Sequence, residues 1–179
     1  MRIKLGFLFG FCYLALFFIL PPAEPLFLIP GLIFILLGES IRIASSGYIR
    51  KSEELSVSGP YAHVRHPLYT GSFLMSLGFL LIIFSPGHIS SVTLLAGYLV
   101  LFPMTYLKTI KKEDAFLENE FKEKFLEYKK NVPLIFPRIS PYQKGGEFRW
   151  KQVLRNREYN AALAAFGILV LFFLKNTYS

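Results

Sequence analysis

Five apolar stretches, at residues 5–20, 26–44, 67–84, 89–107 and 161–174, constrain this 179-residue chain more than any other feature. An α-helix needs about 20 apolar residues to cross a bilayer, and tilt, flanking residues or local thinning complete a slightly shorter one. Each stretch therefore reads as a membrane span. The chain is 53% hydrophobic, above the roughly 45–50% of soluble domains, and the excess sits in these runs. The expected fold is all-α: a polytopic membrane protein of about five transmembrane helices in one domain, residues 1–179. The first run also has the basic start of a signal peptide, but Pro21-Pro22-Ala23-Glu24-Pro25 is no small-x-small cleavage site, so a retained span is expected.

Charge supports this count. Arg2 and Lys4 precede the first stretch, and Arg42, Arg50, Lys51 and Arg65 lie at or between the second and third. All the others except Lys175 fall between the fourth and fifth. With five spans, every Lys and Arg but Lys175 lies on one side, which is the positive-inside pattern. It places the N-terminus inside and the C-terminus outside. The net charge of +8 then reflects topology and contact with anionic membrane lipid, and no nucleic-acid partner is expected. The single cysteine, Cys12, excludes an intrachain disulfide and any CxxC site.

Two inner-side segments are not spans. Residues 47–66 form a polar linker. Residues 108–128 read as an amphipathic helix on the membrane surface, with Ile110, Leu117, Phe121, Phe125 and Tyr128 at helical spacing. Pro133 and Pro137 break the chain before a basic loop at residues 143–157, where Trp150 reads as a lipid anchor. Gly6 and Gly10, and Gly71 and Gly78, suit close helix packing. Glu39 and Arg42 read as an ion pair snorkelling toward the interface. His88 falls in a loop on the outer side.

The densest cluster of unusual residues is Gly59-Pro60-Tyr61-Ala62-His63-Val64-Arg65-His66-Pro67-Leu68-Tyr69-Thr70-Gly71. Gly59-Pro60 makes a turn, and Pro67 suits the first turn of a helix, which brings His66 and Tyr69 together. Ionisable groups at the mouth of a span mark a site; an interfacial belt of Tyr, His and Arg is the bland alternative. His63, His66 and Glu113 are a possible metal set, but the proline after His66 weighs against it and no metal is expected.

This stretch resembles the GPYxxVRHPxYxG signature of isoprenylcysteine carboxyl methyltransferases and related membrane phospholipid methyltransferases. A second signature resembles theirs too: Glu113-Asp114, then Leu117, Phe121, Phe125, Tyr128, Val132-Pro133 and Phe136-Pro137. The resemblance covers residues 53–137. It implies an S-adenosylmethionine site on the inner, cytoplasmic side, formed with the amphipathic helix, where Tyr61, His66, Pro67, Leu68, Tyr69 and Glu113 contact the cofactor, with Leu55 and Ser56 contributing more weakly. It implies methyl transfer to a lipidic or prenylated acceptor, with O-methylation of a carboxylate as the leading reaction. Glu113, Asp114 and Arg65 are candidate catalytic residues, and His63 joins the two acids as a candidate base.

Thr109 stands where the isoprenylcysteine enzymes carry an arginine, Lys122 where they carry glycine, and Phe125 where they carry tyrosine. The cofactor half of the site is thus implied more fully than the acceptor half. The alternatives are a phospholipid N-methyltransferase, an NADPH-dependent reductase of the sterol-reductase type, and a non-catalytic membrane subunit. The reductase would need phosphate-directed arginines, and Arg65 is the one arginine in either signature. The oligomeric state is not legible.

Overall fold

A computed structural model describes residues 24–50 and 54–178. The first apolar stretch, Gly6, Gly10, Cys12 and Lys51 lie outside them. The described residues form helices joined by turns, with no strand among them. They comprise α1 (Pro25–Tyr48), a 3₁₀ turn (Gly59–Ala62), α2 (Pro67–Ile82), α3 (Ile89–Asn131), α4 (Trp150–Arg155) and α5 (Tyr159–Tyr178). Three of these, α1, α3 and α5, are long and apolar enough to cross a membrane. The third stretch gives a shorter helix than expected: α2 has 16 residues, about 24 Å at 1.5 Å per residue.

α1 and α2 pack antiparallel through paired glycines. A methyl group on Gly38 would stand 2.6 Å from the Gly71 carbonyl oxygen, and one on Gly71 equally close to that of Gly38. Gly31 and Gly78 repeat the arrangement two turns away, at 2.8 and 2.5 Å. Side chains at these positions would force the backbones apart, so the small residues set the helix separation. At one end of the pair the Phe27 and Phe84 rings meet edge to face at 4.9 Å. α5 completes the bundle. Its Ala165 and Phe172 join Ile35, Phe79, Ile82 and Ile83 in the buried core. Leu26, Leu36, Leu101 and Phe166 remain mostly exposed, as expected of helix faces turned to lipid.

The amphipathic segment does not form a separate surface helix. It continues the fourth stretch directly as far as Lys122, so that the 43 residues of α3 are two helical segments meeting there. Leu107, Lys108 and Lys111 are good helix formers, and nothing at the junction interrupts the hydrogen-bond ladder. The break comes at Lys122, with φ 47° and ψ −121°. Beyond it, Phe125, Tyr128 and Val132 are buried, and Leu55, Val57, Leu117, Phe121 and Tyr142 pack around them. The apolar face read from the sequence is therefore the buried one, but it covers protein rather than lipid.

The Glu39–Arg42 pair also differs from expectation. Its atoms approach to 3.9 Å, but Arg42 does not snorkel outward. It pairs with Glu158 at the start of α5 and donates a 2.5 Å hydrogen bond to Ser72 of α2. Two carboxylates inside a bundle need a cation beside them, because either would otherwise be left as an uncompensated buried charge. Nearby, Asn156 donates to the Ser46 carbonyl at 3.0 Å and the Arg149 amide to that of Gly47 at 3.1 Å. The end of α1, the start of α2 and the start of α5 are thereby held at one end of the bundle.

Candidate functional site

The first signature is built as a turn feeding a helix. Gly59 takes φ +58°, and the Tyr48 ring lies so close that any side chain there would meet it at 2.7 Å. The 3₁₀ turn then buries Tyr61 and Ala62. Tyr128 donates a 2.7 Å hydrogen bond to the Tyr61 carbonyl. The chain after α3 straps the following residues: the Arg65 amide donates to Pro133 at 2.9 Å, the Arg138 amide to His63 at 3.0 Å, and the Tyr142 amide to Ala62 at 2.9 Å. Pro67 opens α2 as its first residue, where a missing N–H leaves no partner unsatisfied.

This scaffold sets the two signatures face to face. His66 Nε2 lies 2.7 Å from Asp114 Oδ1; facing a carboxylate, that nitrogen carries the hydrogen and donates. Arg65 donates to the other carboxylate oxygen at 3.2 Å. The Tyr69 hydroxyl donates to Glu113 Oε2 at 2.9 Å, and His66 Nδ1 stands 3.9 Å from the same oxygen. The Tyr69 ring meets Tyr106 edge-on at 5.2 Å. His66 is buried and Glu113 is a quarter exposed, so the cluster has a closed side and an open one.

Asp114 lies beyond the apolar part of α3, residues 89–107. Burial pushes its carboxyl up, but the His66 hydrogen bond and the charges of His66, Arg65 and Lys129 outweigh this and hold it below the usual carboxylate range. Burial pushes the Tyr128 phenol well above its ordinary value, so it stays a neutral donor to Tyr61.

The structure brings together five residues that the sequence singled out in two separate signatures: Arg65, His66, Tyr69, Glu113 and Asp114. Tyr61 is anchored beside them through Tyr128. Pro67 is buried in the first turn of α2, and the Leu68 carbonyl accepts from Ser72 at 2.9 Å. Leu55 packs beneath the turn against Phe125, Tyr128 and Val132, and the Ser56 hydroxyl donates back to the Tyr48 carbonyl at 3.2 Å. His63 faces elsewhere, with Nδ1 2.8 Å from the Arg138 carbonyl. Thr109 turns its hydroxyl to the Thr105 carbonyl. Sequence reading did not single out Tyr106, Arg138 or Glu158.

A carboxylate on the open side, backed by tyrosine rings and a fixed imidazole, suits a ligand that carries positive charge. Glu113, Tyr69 and Tyr106 provide that chemistry, while Asp114 is engaged in holding Arg65 and His66.

Residues 35–119 match the model of the isoprenylcysteine carboxyl methyltransferase family. The chain is 34% identical to the cobalt-zinc-cadmium resistance protein CzcN of Cupriavidus metallidurans, over 78% of this chain and 61% of that protein. It is 36% identical to the nickel-cobalt-cadmium resistance protein NccN of Alcaligenes xylosoxydans, over 52% of this chain and 41% of that one. It is 33% identical to the protein-S-isoprenylcysteine O-methyltransferase of Xenopus laevis, over 61% of this chain and 40% of that one. The chain thus spans between two fifths and three fifths of the length of these relatives. No solved structure matches it significantly. The matched region takes in most of α1, the GPY turn, α2 and the Glu113-Asp114 pair, and over it this chain is similar to the isoprenylcysteine carboxyl methyltransferase family.

Proposed function

We propose that this protein transfers a methyl group from S-adenosylmethionine to a lipidic or prenylated acceptor at the membrane interface, with O-methylation of a carboxylate as the leading reaction. The observation that carries the reading is the direct joining of the two signatures, Tyr69 to Glu113 at 2.9 Å and His66 to Asp114 at 2.7 Å. The same residues in an interfacial belt would face headgroups; here they face each other across two helices.

The residues fit the cofactor's charges. Glu113 would hold its cationic groups, with Tyr61, His66, Pro67, Leu68 and Tyr69 around it and Leu55 and Ser56 behind the turn. When bound, S-adenosylmethionine supplies a methyl group already activated on a sulfonium. The protein's task is then alignment and exclusion of water, and alignment alone lowers a barrier by about 7–11 kcal/mol in favourable cases. A carboxylate acceptor needs no general base, so Asp114 acts by fixing Arg65 and His66. An amine acceptor would need deprotonation.

The whole described chain serves as one membrane-embedded domain on this reading. On this reading the site and the N-terminus lie on the cytoplasmic side and the C-terminus outside, a topology that the distribution of Lys and Arg supports.

The test is S-adenosylmethionine binding by the purified protein in detergent, beside a Glu113→Ala variant. Loss of a charge-assisted contact of about 1.5–3 kcal/mol weakens binding by roughly 10- to 150-fold. Absence of binding by the folded, unmodified protein would overturn the proposal. If binding is seen, labelled methyl transfer to a prenylcysteine and to an amine phospholipid decides the acceptor class.

A further inference from the structure

The strap that closes over the GPY turn carries an apolar tip that the described residues leave largely uncovered. Ile135 is 51% exposed, Phe136 84% and Ile139 99%. Three prolines, Pro133, Pro137 and Pro141, stiffen the segment. An apolar loop so fully exposed marks an interaction surface.

Three observations identify what covers it. The strap is fixed in height, because its ends are hydrogen-bonded to Ala62, His63 and Arg65, and Pro67, two residues on, begins the apolar helix α2. The tip therefore sits at the level where α2 leaves the polar linker. The segment itself carries charge of one sign: residues 129–144 include Lys129, Lys130, Arg138 and Lys144 and no Asp or Glu. Lys129 is engaged by Glu118 at 3.4 Å, and the Arg138 guanidinium donates to the Asn131 carbonyl at 2.9 Å and to Ser140 at 3.4 Å. Lys130 and Lys144, which flank the tip in the sequence, are exposed. Apolar side chains flanked by lysine match the boundary between acyl chains and anionic headgroups.

We infer that residues 134–139 form a wedge inserted into the headgroup region of an anionic leaflet, in the same bilayer that α1, α3 and α5 are suited to cross. The strap then joins lipid to site, since the backbone that bears the wedge also holds His63 and Arg65. The inference does not depend on the methyltransferase reading.

The experiment places a single tryptophan on the wedge. Phe136→Trp, made in a Trp150→Phe background, is reconstituted into phosphatidylcholine–phosphatidylglycerol bilayers with or without brominated acyl chains. Insertion gives a blue-shifted emission that loses most of its intensity in brominated lipid. A red emission indifferent to bromine means that the tip lies in water and overturns the inference. A blue emission indifferent to bromine means that protein covers the tip, whether a second copy or residues 1–23, and also overturns it. Ile139→Trp in the same background repeats the measurement at a position where the side chain makes no packing contact to lose.

Discussion

His66 and Asp114, 48 residues apart, meet at 2.7 Å, and Arg65 engages the second oxygen of the same carboxylate. One side chain on α3 thereby orients two consecutive residues at the mouth of α2. The side-chain exposure of all three is 13% or less, so the contacts are little diluted by water.

Asp114→Asn should remove the charge that holds Arg65 and lower stability by about 1–3 kcal/mol. The acid dependence should change too. Asp114 titrates below its ordinary value of 3.8, so as pH falls the unfolded chain takes up its proton before the native one does. Its stabilising contribution is complete above that ordinary value and is lost as pH falls through the lower native value. Thermal unfolding in detergent from neutral pH downward should show the unmodified protein losing stability in acid. The variant should start lower and lose less.

Gly38→Ala should separate α1 from α2. The added methyl would stand 2.6 Å from both the Gly71 oxygen and the Met75 nitrogen, and overpacking against backbone costs about 1–3 kcal/mol. Gly97→Ala, with nothing among the described residues within 4 Å, should stay within about 0.5 kcal/mol of the parent. Midpoints of thermal unfolding for the two variants provide the comparison.

Arg42→Leu should be the most damaging change at the Glu39–Arg42–Glu158 cluster. It leaves two buried carboxylates without their cation, at a cost of about 3–5 kcal/mol. Adding Glu158→Leu should recover part of that loss, and a double-mutant cycle measures the coupling.

Lys122→Gly should raise stability by about 1 kcal/mol. Lys122 sits at φ 47°, a region open to glycine and strained for residues with a Cβ. The break is retained, so S-adenosylmethionine binding should not weaken. A fall in stability would mean that the lysine side chain makes the break rather than tolerating it.

Much of the site could be read in the chain. Tyr61, His66, Tyr69 and Glu113 stood out because they fall in stretches that resemble two family signatures, and the structure sets His66 and Tyr69 against the acidic pair. The buried stripe from Ile110 to Tyr128 was legible because helical periodicity survives whatever it packs against. What it packs against was not. A stripe that covers lipid and one that covers the GPY turn have the same spacing, and so residues 108–128 read as a surface helix when they continue α3. Arg42 shows the same blindness. Glu39, three residues away, is visible on a helical wheel; Glu158, 116 residues away, is not.

The sequence by itself determined that the chain is helical, that its apolar runs suit a bilayer, and that most of its cations fall between the second and third and between the fourth and fifth runs. These follow from composition and periodicity, which act through the solvent and the local backbone. Only the tertiary structure decided that Asp114 clamps Arg65 and His66 while Glu113 turns to Tyr69, and that Arg42 joins three helices. Those pairings depend on how closely Gly31 and Gly38 let α1 approach α2 and on where α3 breaks, at Lys122. Both are properties of packed backbones at contact distance, which no single segment of the chain encodes alone.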